Sequence, residues 1–501
     1  MRLVGYAHLH QRLALMGFEP HLPARVAPVL RVIAGQNAAY LAIPENVAPA
    51  VDADVLTHVL FALKHEGTDL QILAQVLPFI PAVDMQNAIF GTPGGVYIRK
   101  ACYLYEHFMK MKLNLGKRVV GAVAGLFDAK DYVTADGAVH LVWRIQFNGL
   151  GTLDYCPVVR RTGVVQQLLE QDVLKQLDDF VANADKSILD RAISWAYLSE
   201  TEGTFSIENE TPTPSKKDKF VQILQRAHDK QAITEEYLVQ LQNLTIDNPW
   251  DKAAEFRNDQ NRLKNGRLVT YVPPAPELST ALMGEFMAMA NSAPMRKVDP
   301  VVAAALSSFG LVFIHPFMDG NGRISRFLFH KALCDSGRLP HGALLPVSVA
   351  MKKHERDYLE ALKSFSAPAR QLWTVADFGD GHYGETFNGS EAIYRYWDAT
   401  PCVEFGLRMA HEALEQHLVL EVQTLQLYDH IKASVDEEFD VRSDHLSLLI
   451  FNCIDNGGRV SKNLRKKLVH QIPGGLEDRI EQLVEAHRVA AELEDQPGEK
   501  S

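Results

Sequence analysis

Residues 301–314 are apolar on every side, interrupted only by Ser307 and Ser308. Asp299-Pro300 stands in front of them, an acid that caps free amides followed by the residue best suited to a first helical position. A helix without a polar face must be enclosed by other protein or by lipid. A membrane span needs about 18 or more consecutive apolar residues, and this run is shorter. It is therefore read as the buried centre of a mainly helical globular core.

The rest of the chain is organised around that helix. Its 501 residues, 47% hydrophobic, are enough for several domains. A net charge of −11 favours solubility and argues against wholesale coating of nucleic acid or anionic membrane. Cys102, Cys156, Cys334, Cys402 and Cys453 are widely spaced and form no Cys-x-x-Cys pair. They predict neither a disulfide framework nor a zinc site, and they suit a reducing cytoplasm. The first residues lack the apolar core of a signal peptide.

Residues 1–115 read as a helical domain, with helices over 55–65 and 97–111. The β-branched and aromatic run 138–147, preceded by the Asp136-Gly137 turn, predicts a hairpin within a small β-containing segment at 116–160. Helical character returns over 161–215 and stops at Pro212 and Pro214, with Ser215 as a cap for the next helix. Residues 216–375 are helical again apart from 268–272, a strand after an Asn265-Gly266 turn and before Pro273-Pro274. From about 376 to 501 the chain reads as a helical C-terminal domain, with a loose polar tail at 494–501.

The chemistry concentrates at the end of the apolar helix, in His315-Pro316-Phe317-Met318-Asp319-Gly320-Asn321-Gly322-Arg323-Ile324-Ser325-Arg326. Gly320 and Gly322 let main-chain amides approach a ligand closely, and a second helix starting there aims more amides at an anion. Arg323 and Arg326 are three apart and face the same way. Asp319 is a hard oxygen ligand suited to Mg²⁺ on phosphates. His315 is the side chain here that can take a proton near neutral pH. A base, a metal ligand, an amide cradle and two guanidiniums are what phosphoryl-type transfer requires.

This segment resembles the signature of Fic proteins (the Fido fold), His-Pro-Phe-x-Asp-Gly-Asn-Gly-Arg-x-x-Arg, at all nine fixed positions. The resemblance implies a helical core at 216–375 that binds ATP with Mg²⁺ and transfers AMP to a Ser, Thr or Tyr hydroxyl of a target protein, or to itself. It makes His315 the general base and Asp319 the Mg²⁺ ligand. It assigns the α- and β-phosphates to Asn321, Gly322 and Arg323 beside Gly320, and the γ-phosphate to Arg326.

Thr204-Phe205-Ser206-Ile207-Glu208-Asn209 resembles the inhibitory motif of such proteins, Ser/Thr-x-x-x-Glu-Gly/Asn. That implies a helix ending near 209 whose Glu208 pairs with Arg326 and blocks the γ-phosphate. Thr204 and Glu208 lie one helical turn apart, so they share a face. Leu268, Val269, Thr270 and Tyr271 fall where the family places a flap that pairs with the target. Tyr358-Leu359 departs from a tyrosine pair common near the adenine, and both residues are read as core. Residues 61–67, 154–162 and 197–201 resemble flanks of long bacterial Fic proteins.

Two further readings stay open. The same site can remove AMP or transfer another nucleotide. The basic run from Arg459 to Lys467, in a unit resembling a helix-turn-helix or winged helix, can meet nucleic acid, although a solvated helix face is the plainer reading.

Overall fold

A computed structural model describes residues 1–34, 39–115, 119–246, 248–340, 342–379 and 382–494. The apolar run is a helix, Pro300–Ile314, buried at every residue except Val312. Asp299 caps it as expected, its Oδ1 accepting from the amides of Val301 and Val302 at 3.0 and 3.1 Å. Helices Asn321–Asp335, Thr400–Glu412 and Pro276–Ser292 pack around it. The core they share runs from Val133 to Leu425, so chain on both sides of the 216–375 segment contributes to it.

The helices Gly163–Gln171, Val173–Asn183 and Lys186–Ile207 appear where the composition predicts them. The helix at the two prolines starts two residues earlier than expected. Thr213 accepts from the Lys216 amide and Pro214 takes the first position, so Ser215 is not the cap.

The long helix Lys186–Ile207 packs closely on Val347–Lys353 because Gly203 faces that helix. A Cβ on Gly203 would come within 2.8 Å of the main-chain carbon of Ser348 and the nitrogen of Val349.

Several β elements differ from the sequence reading. The first hundred residues are not wholly helical. Tyr40–Ile43 pairs in parallel with Ala24–Val26 and antiparallel with Arg31–Ile33. These strands are three or four residues long, too short for periodicity to reveal.

Within 138–147 the strands are only Val139–His140 and Ile145–Gln146, joined through 141–144. Asp136-Gly137 precedes the hairpin and does not make its turn. A second, unpredicted hairpin, Trp373–Gly379 with His382–Phe387, interrupts the stretch read as helical from about 376. Its signal was present in the aromatic and β-branched alternation of Trp373, Val375, Tyr383 and Phe387.

A second hydrophobic cluster gathers the N-terminal helices with Trp143, Ile145 and Cys156. Between it and the main core lies a cleft of about 1210 Å³. Two of the flanking motifs line that cleft through Lys64, Glu66 and Arg160, the last paired with Asp398 at 2.7 Å.

A third cluster spans Tyr428 to Val484. There Arg459 pairs with Glu481 at 2.8 Å, and Arg465 with Glu477, Asp478 and Glu481. The last helix thus neutralises both arginines of the basic run, which favours the plain reading over nucleic-acid contact. Residues 495–501 of the expected loose tail lie outside the described residues.

Close helix packing makes Gly203 and Gly284 respond oppositely to the same change. Gly203→Ala is expected to destabilise the chain by about 1–3 kcal/mol through overpacking against main-chain atoms. Gly284 lies within Pro276–Ser292 with nothing near its would-be Cβ, so Gly284→Ala should stabilise by about 0.5–1 kcal/mol. Chemical denaturation of both variants checks the pair, and equal effects would contradict the packing.

Candidate functional site

The central helix ends in a left-handed residue. His315 has φ 54° and ψ 60°, which turns the chain out of the helix and sets the imidazole at the edge of the core. Its Nδ1 lies 3.2 Å from the Val312 carbonyl. Only a protonated Nδ1 satisfies that carbonyl, so the lone pair sits on Nε2. Burial lowers the imidazole pKa to about 4 and Arg257 adds to this, while the Val312 carbonyl, Glu208 and Asp319 oppose it. At neutral pH this side chain is a base.

Gly320, with φ 87°, precedes the helix Asn321–Asp335, whose first amides have no side-chain cap. Uncapped first-turn amides are the donors an anion seeks. Arg323 and Arg326 stand on that helix, both buried. Arg323 donates to the Thr245 carbonyl at 2.9 Å and to Asp319 at 3.3 Å.

Asn321, assigned to the α- and β-phosphates by the resemblance, has its side chain engaged within the protein. Its Oδ1 accepts from the Phe317 amide at 3.0 Å and its Nδ2 donates to the Phe317 carbonyl at 2.7 Å. The carboxamide pins the loop, which leaves its main-chain amide to face an anion.

Glu208 follows directly on Ile207, the last residue of the long helix, and hydrogen-bonds Arg326. Its carboxylate also lies over Gly322, where a Cβ would come within 2.1 Å of Oε1. An anion of the chain's own thus already sits against the Gly-x-Gly turn. Burial pulls the Glu208 pKa up, but Arg326, Arg323 and His315 more than offset this and hold it below the usual carboxylate range.

Arg326 Nη2 also donates to the Thr204 carbonyl at 3.4 Å, while Nε and Nη1 are buried without hydrogen-bond partners among the described residues. Asn209 has φ 56°, the left-handed residue that often follows a helix end. Behind Glu208, the wholly buried Glu200 accepts from His330 on the Asn321–Asp335 helix at 2.8 Å, and from the amide and hydroxyl of Ser348. The Thr204 hydroxyl lies 3.1 Å from that of Ser348 and joins the same network.

The strand before the site is Leu268–Tyr271, paired with Leu263–Asn265, and the two-residue loop is Gly266-Arg267 rather than Asn265-Gly266. Leu268 and Thr270 point outward, while Val269 and Tyr271 are buried. The Tyr271 hydroxyl donates to the Phe313 carbonyl on the central helix. Arg370 Nε donates to the Val269 carbonyl at 3.0 Å, so part of the strand's outer edge is already engaged.

Tyr358 packs on Phe309 and Phe405 as a core residue. Burial raises its phenol pKa, and nearby Arg326 opposes that rise. Leu359 does not follow the core reading, since it is 43% exposed.

Three residues that the sequence did not single out hold the loop from behind. Gln242, Arg257 and Asn261 donate to carbonyls of the 315–319 segment. Nothing in their local sequence marks them, because each contact spans more than fifty residues.

Residues 232–333 match the model of the Fic/DOC family. The chain is 37% identical over 112 residues to a protein adenylyltransferase Fic of Aedes aegypti, covering 22% of this chain and 20% of that protein. It is 27% identical over 221 residues to one of Nematostella vectensis, covering 39% of this chain and 50% of that one. The chain thus spans half or less of the length of these relatives. Among solved structures, a Fic family protein from Desulfovibrio desulfuricans G20 is 20% identical with a TM-score of 0.39, covering 63% of this chain and 86% of its own. Fic-1 from C. elegans is 15% identical with a TM-score of 0.34, covering 74% and 93%.

The environment of His315 has a measurable consequence. Its folded pKa of about 4 lies below the unperturbed value of about 6.5. Between those values the unfolded chain binds the extra proton, so this residue's contribution to stability is complete above pH of about 6.5 and is lost as pH falls toward about 4. NMR titration of ¹³C-labelled histidines, with His315→Ala to assign the signal, should show it unprotonated at pH of about 5. A midpoint at or above the ordinary value would contradict the buried geometry.

Proposed function

We propose that this chain, whose residues 232–333 form a Fic-family domain, transfers AMP from ATP to a protein hydroxyl and restrains itself with Glu208. The observation that carries this reading is the Glu208 carboxylate, seated over Gly322 and bonded to Arg326. It supports a site built to receive anionic oxygen.

In this reading the triphosphate lies along the first amides of Asn321–Asp335, with Arg323 and Arg326 neutralising its charge. The neutral Nε2 of His315 accepts the proton of the target hydroxyl, whose oxygen attacks the α-phosphorus. The bond from that phosphorus to the bridging oxygen breaks, and pyrophosphate leaves with the electron pair. AMP remains esterified to the target. The exposed strand residues Leu268 and Thr270 suit contact with an extended target segment.

Asp319 is the carboxylate that would hold Mg²⁺. Its side chain is 58% exposed and bonds Arg323 and the Gly320 amide. Among the described residues no three His, Cys, Asp or Glu side chains gather into a metal site. One carboxylate fits a cation that takes its other ligands from phosphates and water. Bound there, Mg²⁺ would supply charge neutralisation for the departing pyrophosphate.

Glu208 restrains the reaction by occupying Arg326, because an arginine held by a carboxylate cannot also seat a terminal phosphate. Glu208→Gly is expected to raise self-labelling from α-³²P-ATP by at least about tenfold, and adding His315→Ala should abolish it. Label from γ-³²P-ATP should not appear on the protein. Equal labelling of wild type and Glu208→Gly would remove the brake. No label in the released variant, on itself or on added proteins, would remove the transfer activity.

A further inference from the structure

The five peptide carbonyls from His315 to Asp319 all accept hydrogen bonds from the side of the loop formed by residues 242–261. Arg257 Nε donates to the His315 carbonyl at 2.8 Å, and the Arg257 amide donates to Pro316 at 2.8 Å. Asn261 Nδ2 reaches the carbonyls of Phe317 and Met318 at 3.4 and 3.2 Å. Gln242 Nε2 takes Asp319 at 3.3 Å.

These donors are anchored in their turn. Arg257 is 5% exposed and also donates to the carbonyls of Asp259 and Pro274, the latter just after the flap strand. The Phe256 ring meets Phe317 edge to face at 5.5 Å.

A peptide unit is a dipole, and five carbonyls facing a polyphosphate would repel it. Engaging each carbonyl from this side keeps all five occupied. The His315 and Phe317 amides are spent on the Leu311 carbonyl and Asn321 Oδ1, so the donors offered to a ligand are chiefly the uncapped amides that begin Asn321–Asp335. His315 adds a second demand. A non-glycine residue in the left-handed region costs on the order of 1–3 kcal/mol and persists only where its surroundings enforce it. The Arg257 guanidinium, fixed at three carbonyls, grips the carbonyl of that strained residue.

We infer that segment 256–262 is a positioning strap. Arg257 holds His315 in its reactive placement and ties it to the base of the flap, and Asn261 sets the polarity of the phosphate cradle.

The proposal rests on the adenylyl-transfer reading for its catalytic arm, but the cradle arm is read by binding alone. The charged groups facing His315 are Arg257 from the strap, Glu208 from the long helix and Asp319 from its own loop. In a Glu208→Gly background only Arg257 and Asp319 remain, so the effect of Arg257 on the imidazole is isolated.

The test uses the full-length Glu208→Gly protein with Arg257→Gln, Arg257→Lys or Asn261→Ala added. It measures α-³²P-ATP transfer between pH 5 and 8 and Mg²⁺-ATP binding by calorimetry. Arg257→Gln should lower kcat about 100-fold, because a base displaced by about 1 Å loses that much, while the ATP dissociation constant stays within about threefold. Its kcat/KM should also fall on the acid side at a higher pH than the parent's.

Arg257→Lys retains the charge, so its acid limb should stay with the parent and part of kcat should return. Asn261→Ala should weaken ATP about tenfold without moving that limb. If Arg257→Gln does not fold, Arg257→Lys reads the same split between kcat and affinity.

Arg257 variants with parental kcat, or with equal losses in kcat and ATP affinity, would overturn the positioning role. Parental ATP affinity in Asn261→Ala would overturn the cradle role. If the Glu208→Gly parent transfers no AMP, the activity reading falls, and the affinity of Asn261→Ala still decides whether the strap shapes the cradle.

Discussion

A helix with no polar face must end inside the protein, and its last peptide groups cannot look to water for partners. Pro300–Ile314 meets this demand by turning at His315 into a loop whose carbonyls, from His315 to Asp319, all find hydrogen-bond donors within the protein. The carbonyls are taken by Gln242, Arg257 and Asn261, while amides at the start of Asn321–Asp335 lack side-chain caps. The same turn desolvates His315 enough to keep it neutral. The free amides and the neutral imidazole therefore share one cause, the way the chain leaves its most buried segment.

The contact between Glu208 and Arg326 is built with comparable economy. Glu208 is partly exposed, but the helix that delivers it is anchored in the interior by Glu200, which accepts from His330 and Ser348. His330 belongs to the helix that also carries Arg326, so Glu208 and Arg326 are fixed to each other through a buried carboxylate. Buried charge is tolerated only when its hydrogen-bonding capacity is met, and both Glu200 oxygens have partners. The rigid scaffold spares Glu208 most of the entropy that a freely mobile carboxylate would lose on pairing with Arg326.

Legibility in the sequence followed the range of the interaction. The buried helix was readable from its unbroken apolarity, its start from Asp299-Pro300, and the site from residues packed into twelve consecutive positions. Glu208 was readable because its motif is local to one helical turn, although its partner lies 118 residues away. The strands at 24–43 and 373–387 were missed for opposite reasons. The former are too short to show a period, and the latter alternates but lies beside a strongly helical neighbour. Arg257 and Asn261 were invisible because an arginine or asparagine in a loop says nothing about distant carbonyls. Asn321 was legible as a site residue, but its side chain faces Phe317 instead of the cradle.

Asn209 carries a consequence for how firmly Glu208 is held against Arg326. Its left-handed backbone, φ 56°, is what allows the helix to finish at Ile207 and leave Glu208 pointing at Arg326. Most side chains resist that conformation by roughly 1–2 kcal/mol, whereas asparagine and glycine tolerate it. A residue that makes no contact of its own with Arg326 can thus adjust how often the carboxylate lets go, by a factor of about ten per 1.4 kcal/mol. Under the proposed function, basal leakage becomes a graded inheritance, open to selection one dihedral preference at a time with every reacting group left untouched.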